Sequence, residues 1–85
     1  MGKLEKLITK LLSGSADNNF RFEDLRSVLL SLGFTEKTTA GSHRIFYMAN
    51  VLEIVNIQPD GNKAKPYQVK QVRSIILKYS LVSYE

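Results

Sequence analysis

Hydrophobic residues recur at helical spacing in three stretches of the chain. The first stretch covers residues 3–12, where leucines and an isoleucine alternate with lysines. The second starts at Phe22 and stops at Gly33, a residue type common just after the last turn of a helix. The third starts at Pro66, which suits the first helical position, and runs to Tyr79. The pattern therefore predicts three amphipathic helices.

Short segments rich in β-branched and aromatic residues lie between the second and third helices, which predicts strands there. These segments are Phe34–Thr39, Ser42–Met48 and Leu52–Ile57. The two-residue connections Ala40-Gly41 and Ala49-Asn50 are short enough for antiparallel hairpins, and Pro59–Asn62 predicts a turn. We expect one α+β domain over residues 1–85, with helices on one face of the sheet and the other face open.

The charge of the chain changes this picture only through its distribution. Twelve Lys and Arg against eight Asp and Glu give a net charge of +4. From Gly61 to Tyr84 the sequence has cations and no acid. Such a segment attracts phosphate through the release of counterions, although the same charges also suit a solvated helix face. The cations are Lys63, Lys65, Lys70, Arg73 and Lys78.

The absence of cysteine excludes disulfides and thiolate metal sites and is typical of a cytoplasmic protein. The longest apolar run, Ile45–Ala49, is far shorter than the roughly 20 residues of a membrane span. One histidine without cysteine argues against a zinc site. We therefore expect a cytoplasmic protein with no membrane association, no metal and no cofactor.

His43 is the only histidine and lies at the start of the predicted second strand. The pKa of a free imidazole is about 6.5, so the group both takes and gives protons at neutral pH. It cannot activate Ser42, because neighbouring residues of a strand point to opposite faces. Cleavage of RNA needs little more than such a proton-transfer group, because the ribose 2′-hydroxyl supplies the nucleophile. The alternative is an ordinary surface histidine.

Other residues near His43 are candidates for contacts with RNA or for the core. Tyr47 shares the strand face of His43 and can stack on a base, although tyrosine is also an ordinary strand residue. Phe46 points the other way and is predicted to lie in the core. The candidate phosphate contacts are Lys37, Arg44, Lys63, Lys65, Lys70 and Arg73.

Three segments resemble the HicA toxins, and the resemblance as a whole extends over about residues 3–79. They are Leu32-Gly33-Phe34, Gly41-Ser42-His43-Arg44-Ile45-Phe46 and Lys65-Pro66-Tyr67-Gln68-Val69-Lys70-Gln71-Val72. The resemblance implies a double-stranded-RNA-binding-like fold (helix, three-stranded antiparallel sheet, helix) with an extra N-terminal helix. It also implies an mRNA-cleaving toxin of a type II toxin–antitoxin system, with His43 as the catalytic residue. Within the motif, Gly41 permits a turn and Ser42 either bonds to that turn or contacts phosphate.

The resemblance further implies a HicB antitoxin that covers the site in a toxin–antitoxin hetero-oligomer and contributes DNA binding. Many HicA sequences carry a second histidine after the proline that ends the third strand. Here Asp60 follows Pro59, so no second base is assigned there. Two alternatives stay open: a non-catalytic RNA-binding module in which His43 contacts the backbone, and a small protein-interaction domain that uses the open sheet face.

Overall fold

The computed structural model describes residues 2–38 and 43–82 of the chain. In these residues three α-helices accompany an antiparallel sheet with strand order β1-β2-β3. The helices are α1 (Lys3–Ser13), α2 (Phe22–Ser31) and α3 (Pro66–Tyr79). The strands are β1 (Thr35–Thr38), β2 (Arg44–Met48) and β3 (Val51–Ile57). The predicted α+β class and the order of these elements are confirmed.

The helix ends follow the residues that the sequence pattern singles out. Helix α1 ends where Gly14 adopts a left-handed conformation with φ of 74°, and Gly33 follows α2 with φ of 104°. Both angles are strained for residues that carry a Cβ. Pro66 occupies the first turn of α3. The connector after α1 also contains a single 3-10 turn, Asp17–Asn19, that was not predicted. None of the helices formed by the described residues has the length and apolar character needed to cross a membrane.

The predicted turn Pro59–Asn62 is part of a small hairpin that the sequence pattern did not predict. Its strands are β4 (Pro59–Asp60) and β5 (Lys63–Ala64). The backbone amide of Ala64 donates to the carbonyl oxygen of Phe20 across 2.8 Å, which joins the hairpin to the chain just before α2. Strands of two residues have no detectable alternation, and the partner Phe20 lies far away in sequence, so the turn residues were the only local signal of this hairpin.

One face of the sheet forms the core together with the helices. The register pairs Phe46 with Val55, and both side chains are fully buried, as is Ile57 two residues further on. The burial of Phe46 is as predicted. Helical side chains complete this core, and they include Leu11, Leu25, Val28, Leu29, Val69, Val72, Ile75 and Ile76.

No helix in the described part of the chain covers the opposite face of the sheet. Alternation along the strands places on it Thr35, Lys37, Ile45, Tyr47, Leu52, Ile54 and Asn56. Leu52 is 88% exposed and Ile54 is 61% exposed. The predicted open face is therefore present, and along β3 it exposes large apolar side chains.

Candidate functional site

A cleft of about 330 Å³ lies where the end of β3 meets the first turns of α3. Its volume falls at the lower end of the range of small-molecule pockets, roughly 300–1,000 Å³. The lining residues are His43, Ile54, Asn56, Gln58, Tyr67, Gln68 and Gln71. No Lys, Arg, Asp or Glu occurs among these described lining residues. The cleft is therefore polar but carries no fixed charge.

His43 directly precedes β2, and its side chain is exposed. Extending the β2–β3 register by one residue beyond the Arg44–Ile57 pair places His43 opposite Gln58. Strand alternation directs its imidazole to the face opposite Phe46, away from the core. The predicted histidine is thus exposed and accessible to a dissolved substrate.

Gln68 joins the start of α3 to the end of β3. Its side chain is only 2% exposed. The amide nitrogen Nε2 donates to the carbonyl oxygen of Asn56 across 3.2 Å, and Oε1 accepts from the backbone amide of Gln58 across 3.4 Å. These are the two kinds of backbone group that a neighbouring strand would satisfy at a sheet edge. This pairing brings Tyr67 and Gln71 to the cleft.

Tyr67 and Gln71 lie one helical turn apart and line the same side of the cleft. Tyr67 is 63% exposed, and its hydroxyl accepts a long hydrogen bond of 3.4 Å from Nε2 of Gln68. The phenolic hydrogen is therefore available to another acceptor. The cleft combines one imidazole, one phenol and several neutral amides.

Helix α3 is fixed to β3 at its other end by Tyr79. Its hydroxyl donates to Oε1 of Glu53 across 2.6 Å and accepts from the backbone amide of Leu52 across 3.3 Å. Lys78 adds an ion pair to the same carboxylate at 2.9 Å. The Tyr79 hydroxyl, followed by Lys78, holds the pKa of Glu53 below its ordinary value. The two ends of α3 thus both contact the free edge of β3.

None of the predicted cations is among the described residues that line the cleft with His43. Lys37 lies on the same face as the histidine, opposite Ile45 in the sheet. Lys63 lies on β5, Lys65 precedes α3 and Lys70 is exposed on α3. The role of these lysines as phosphate contacts stays a prediction.

Arg44, another predicted phosphate contact, is bonded on the helix side of the sheet. Its guanidinium donates to Oε2 of Glu36 across 2.9 Å, and Arg26 of α2 donates to the same oxygen across 2.8 Å. Arg26, followed by Arg44, lowers the pKa of Glu36 against the opposing effect of burial. Nε of Arg44 is buried and has no hydrogen-bond partner within residues 2–38 and 43–82. This geometry gives Arg44 a structural role.

Arg73 is likewise bonded within the fold. Its two terminal nitrogens bind both carboxylate oxygens of Asp17 at 2.8 and 3.0 Å, and one also donates to the carbonyl oxygen of Leu11 at 3.2 Å. The hydrogen bond from Arg73 lowers the pKa of Asp17. Any contact of Arg44 or Arg73 with RNA stays a prediction.

The histidine was predicted from the sequence, whereas the other polar residues of the cleft were not. A signal existed only for Gln68, which falls on the apolar stripe of α3 four residues before Val72. A polar residue at a buried position needs hydrogen-bond partners, and this one has them. The predicted motif residues Gly41 and Ser42 lie outside the described residues.

Comparison with known proteins identifies no relative. The chain matches no family model, no curated protein and no solved structure. Within the described residues, no three His, Cys, Asp or Glu side chains form a group that could hold a metal ion.

Proposed function

We propose that the protein is an endoribonuclease of the HicA toxin type, which cleaves mRNA with His43 as general acid/base. One observation carries the proposal: an exposed imidazole lines a polar, uncharged cleft at the end of an open sheet face. An imidazole is the side chain best suited to proton transfer at neutral pH. RNA carries its own nucleophile, so a positioned base is the main requirement.

The chemistry assigned to the cleft is attack of a ribose 2′-hydroxyl on the adjacent phosphorus. His43 removes the 2′ proton. Side-chain amides of Asn56, Gln58 and Gln71 are neutral donors that can bind the phosphate oxygens as negative charge develops. The lysines outside the cleft attract the RNA chain as a whole, because phosphate contacts supply affinity without reading sequence.

The fold that we propose for this activity is a double-stranded-RNA-binding-like domain with α1 added at its N-terminal side. The succession α2, β1, β2, β3, α3 and the packing of the helices on one sheet face support it. The open face would then contact the substrate beside the cleft, with Tyr47 stacked on a base.

The partner that we propose is a HicB-type antitoxin that covers the open face of the toxin in the cytoplasm. The exposure of Leu52 and Ile54 supports a protein partner there, since such apolar side chains gain stability when a partner covers them. The same observation favours the second candidate function, a small protein-interaction domain without catalysis.

A gel assay distinguishes these functions. Purified protein and the His43→Ala variant are each incubated, in the presence of EDTA, with labelled RNA and with DNA of the same sequence. We expect the wild type to cut RNA and not DNA, and the variant to bind RNA without cutting it. Equal cutting by both proteins would exclude His43 as the catalytic group. Binding without cutting by the wild type would indicate an RNA-binding module, and no binding would indicate a protein-interaction domain.

A further inference from the structure

Cleavage by a 2′-hydroxyl needs two proton transfers at separate places. The attacking and leaving oxygens lie roughly in line on opposite sides of the phosphorus. A base placed at the 2′-oxygen is therefore poorly placed to protonate the departing 5′-oxygen in the same step. The reaction that we propose for His43 calls for a second proton-transfer group in the cleft.

Only two of the described cleft residues have side chains that exchange protons in general acid/base chemistry, His43 and Tyr67. The amides of the asparagine and glutamines donate hydrogen bonds but do not give up protons. The two groups enter the cleft from different elements. His43 precedes β2 and lies opposite Gln58, the residue after β3, whereas Tyr67 lies on α3 beyond the free edge of that strand.

The end of the third strand thus lies between the histidine and the tyrosine. The backbone amide of Gln58 donates to Oε1 of Gln68, and Nε2 of Gln68 donates to the hydroxyl of Tyr67. Because the phenolic oxygen already accepts this bond, its hydrogen can point to an acceptor in the cleft. Gln68 is a positioning residue, since its side chain is only 2% exposed and bonds to the Tyr67 hydroxyl.

We infer that Tyr67 is the general acid that complements His43, an inference that rests on the proposed function. His43 accepts the 2′ proton as the O2′–P bond forms. The P–O5′ bond breaks, and the Tyr67 hydroxyl gives its proton to the departing 5′-oxygen. The products are a 2′,3′-cyclic phosphate and a 5′-hydroxyl. A proton then passes through solvent from the imidazolium to the phenolate, which restores both groups without a further reactant.

The test compares two RNA substrates that differ only in the leaving atom at one cleavage site. One has the natural 5′-oxygen, and the other has sulfur in its place. A thiol has a pKa of about 8.5, so its anion departs without a general acid far more readily than an alkoxide. Single-turnover rates are measured at saturating protein for the wild type, Tyr67→Phe, Tyr79→Phe and His43→Ala.

We expect Tyr67→Phe to slow cleavage of the oxygen substrate by about 100-fold or more, and to restore a rate close to wild type on the sulfur substrate. Tyr79→Phe is the matched control, because it removes a hydroxyl of the same helix that bonds to Glu53 outside the cleft. It should cleave both substrates at the wild-type rate. His43→Ala should be slow on both substrates, because sulfur does not replace the base.

Two results would overturn the inference while the proposed function stands: cleavage of the oxygen substrate by Tyr67→Phe at the wild-type rate, or an equal defect on both substrates. The second result would show that the hydroxyl only binds or orients RNA. Failure of the wild type to cleave either substrate would overturn the proposed function itself, and the inference with it.

Discussion

Gln68 donates from its side-chain amide to the carbonyl oxygen of Asn56 across 3.2 Å, so that a helix side chain takes the place of a neighbouring strand at the edge of the sheet. Exposed strand edges pair readily with other chains. This bond both protects the edge and places the first turn of α3 beside His43. The fold and the candidate site therefore depend on the same buried side chain.

Replacement of Gln68 by leucine should lower the free energy of unfolding. The substitution leaves the carbonyl of Asn56 and the amide of Gln58 without their partner. Unsatisfied buried groups cost about 1–3 kcal/mol, and because these two bonds are only partly buried we expect a loss of about 1 kcal/mol. For a domain of this size, such a loss lowers Tm by about 4–8 °C. Thermal unfolding followed by circular dichroism measures the change. The control is Gln71→Leu, which lacks these bonds and should shift Tm by less than half as much.

The Asp17–Arg73 ion pair should make stability depend on acid pH. The pKa of Asp17 in the folded protein is below its ordinary value of 3.8. The stabilisation by this ion pair is therefore complete at pH values above the ordinary pKa of aspartate. It is lost as the pH falls through the lower pKa that Asp17 has in the folded protein. Asp17→Asn should lower the free energy of unfolding at pH 7 by about 1–2 kcal/mol. It should also make this free energy less dependent on pH at pH values below the ordinary pKa of aspartate. Urea unfolding between pH 7 and pH 2 measures both effects. An unchanged slope in the variant would show that this carboxylate does not contribute.

RNA affinity should fall steeply with salt if the lysines outside the cleft bind phosphate. Each phosphate contact on a single strand contributes about 0.7 to the slope of log affinity against log salt. Lys65→Met and Lys70→Met should each make the slope shallower by about that amount. Lys78→Met is the control, because this lysine is paired with Glu53. Fluorescence anisotropy with labelled RNA at several salt concentrations measures the slopes, and a flat response in the wild type would exclude the proposed role of the lysines.

The sequence predicted the larger elements because each has enough residues for its periodicity to be recognised. Helix α2 begins at Phe22 and ends just before Gly33, as the apolar stripe predicts. Helix α3 begins at Pro66, also as predicted. The open sheet face was predicted because so small a chain cannot cover both faces of the sheet, and the exposure of Leu52 confirms this prediction. The hairpin formed by β4 and β5 was missed because its bond to Phe20 joins distant parts of the chain.

The candidate site was predicted only in part. His43 was identified as the single histidine of the chain, a property visible without any structure. Tyr67 and Gln58 reach the cleft through long-range pairing of α3 with the edge of the third strand, which no local pattern encodes. Arg73 was predicted as a phosphate contact from charge alone, and its bonds to Asp17 depend on a connector distant in sequence.

The role of His43 is tested by the single-turnover rate of RNA cleavage by His43→Ala relative to the wild type, measured in EDTA with all RNA bound. Loss of the general base should slow the reaction by about 100-fold or more. Tm should stay close to that of the wild type because the side chain is exposed, and RNA should stay bound because phosphate contacts supply most of the affinity. The wild-type products should end in a 2′,3′-cyclic phosphate and a 5′-hydroxyl. Equal rates for the two proteins would contradict the assignment of His43 as the acid/base of this site.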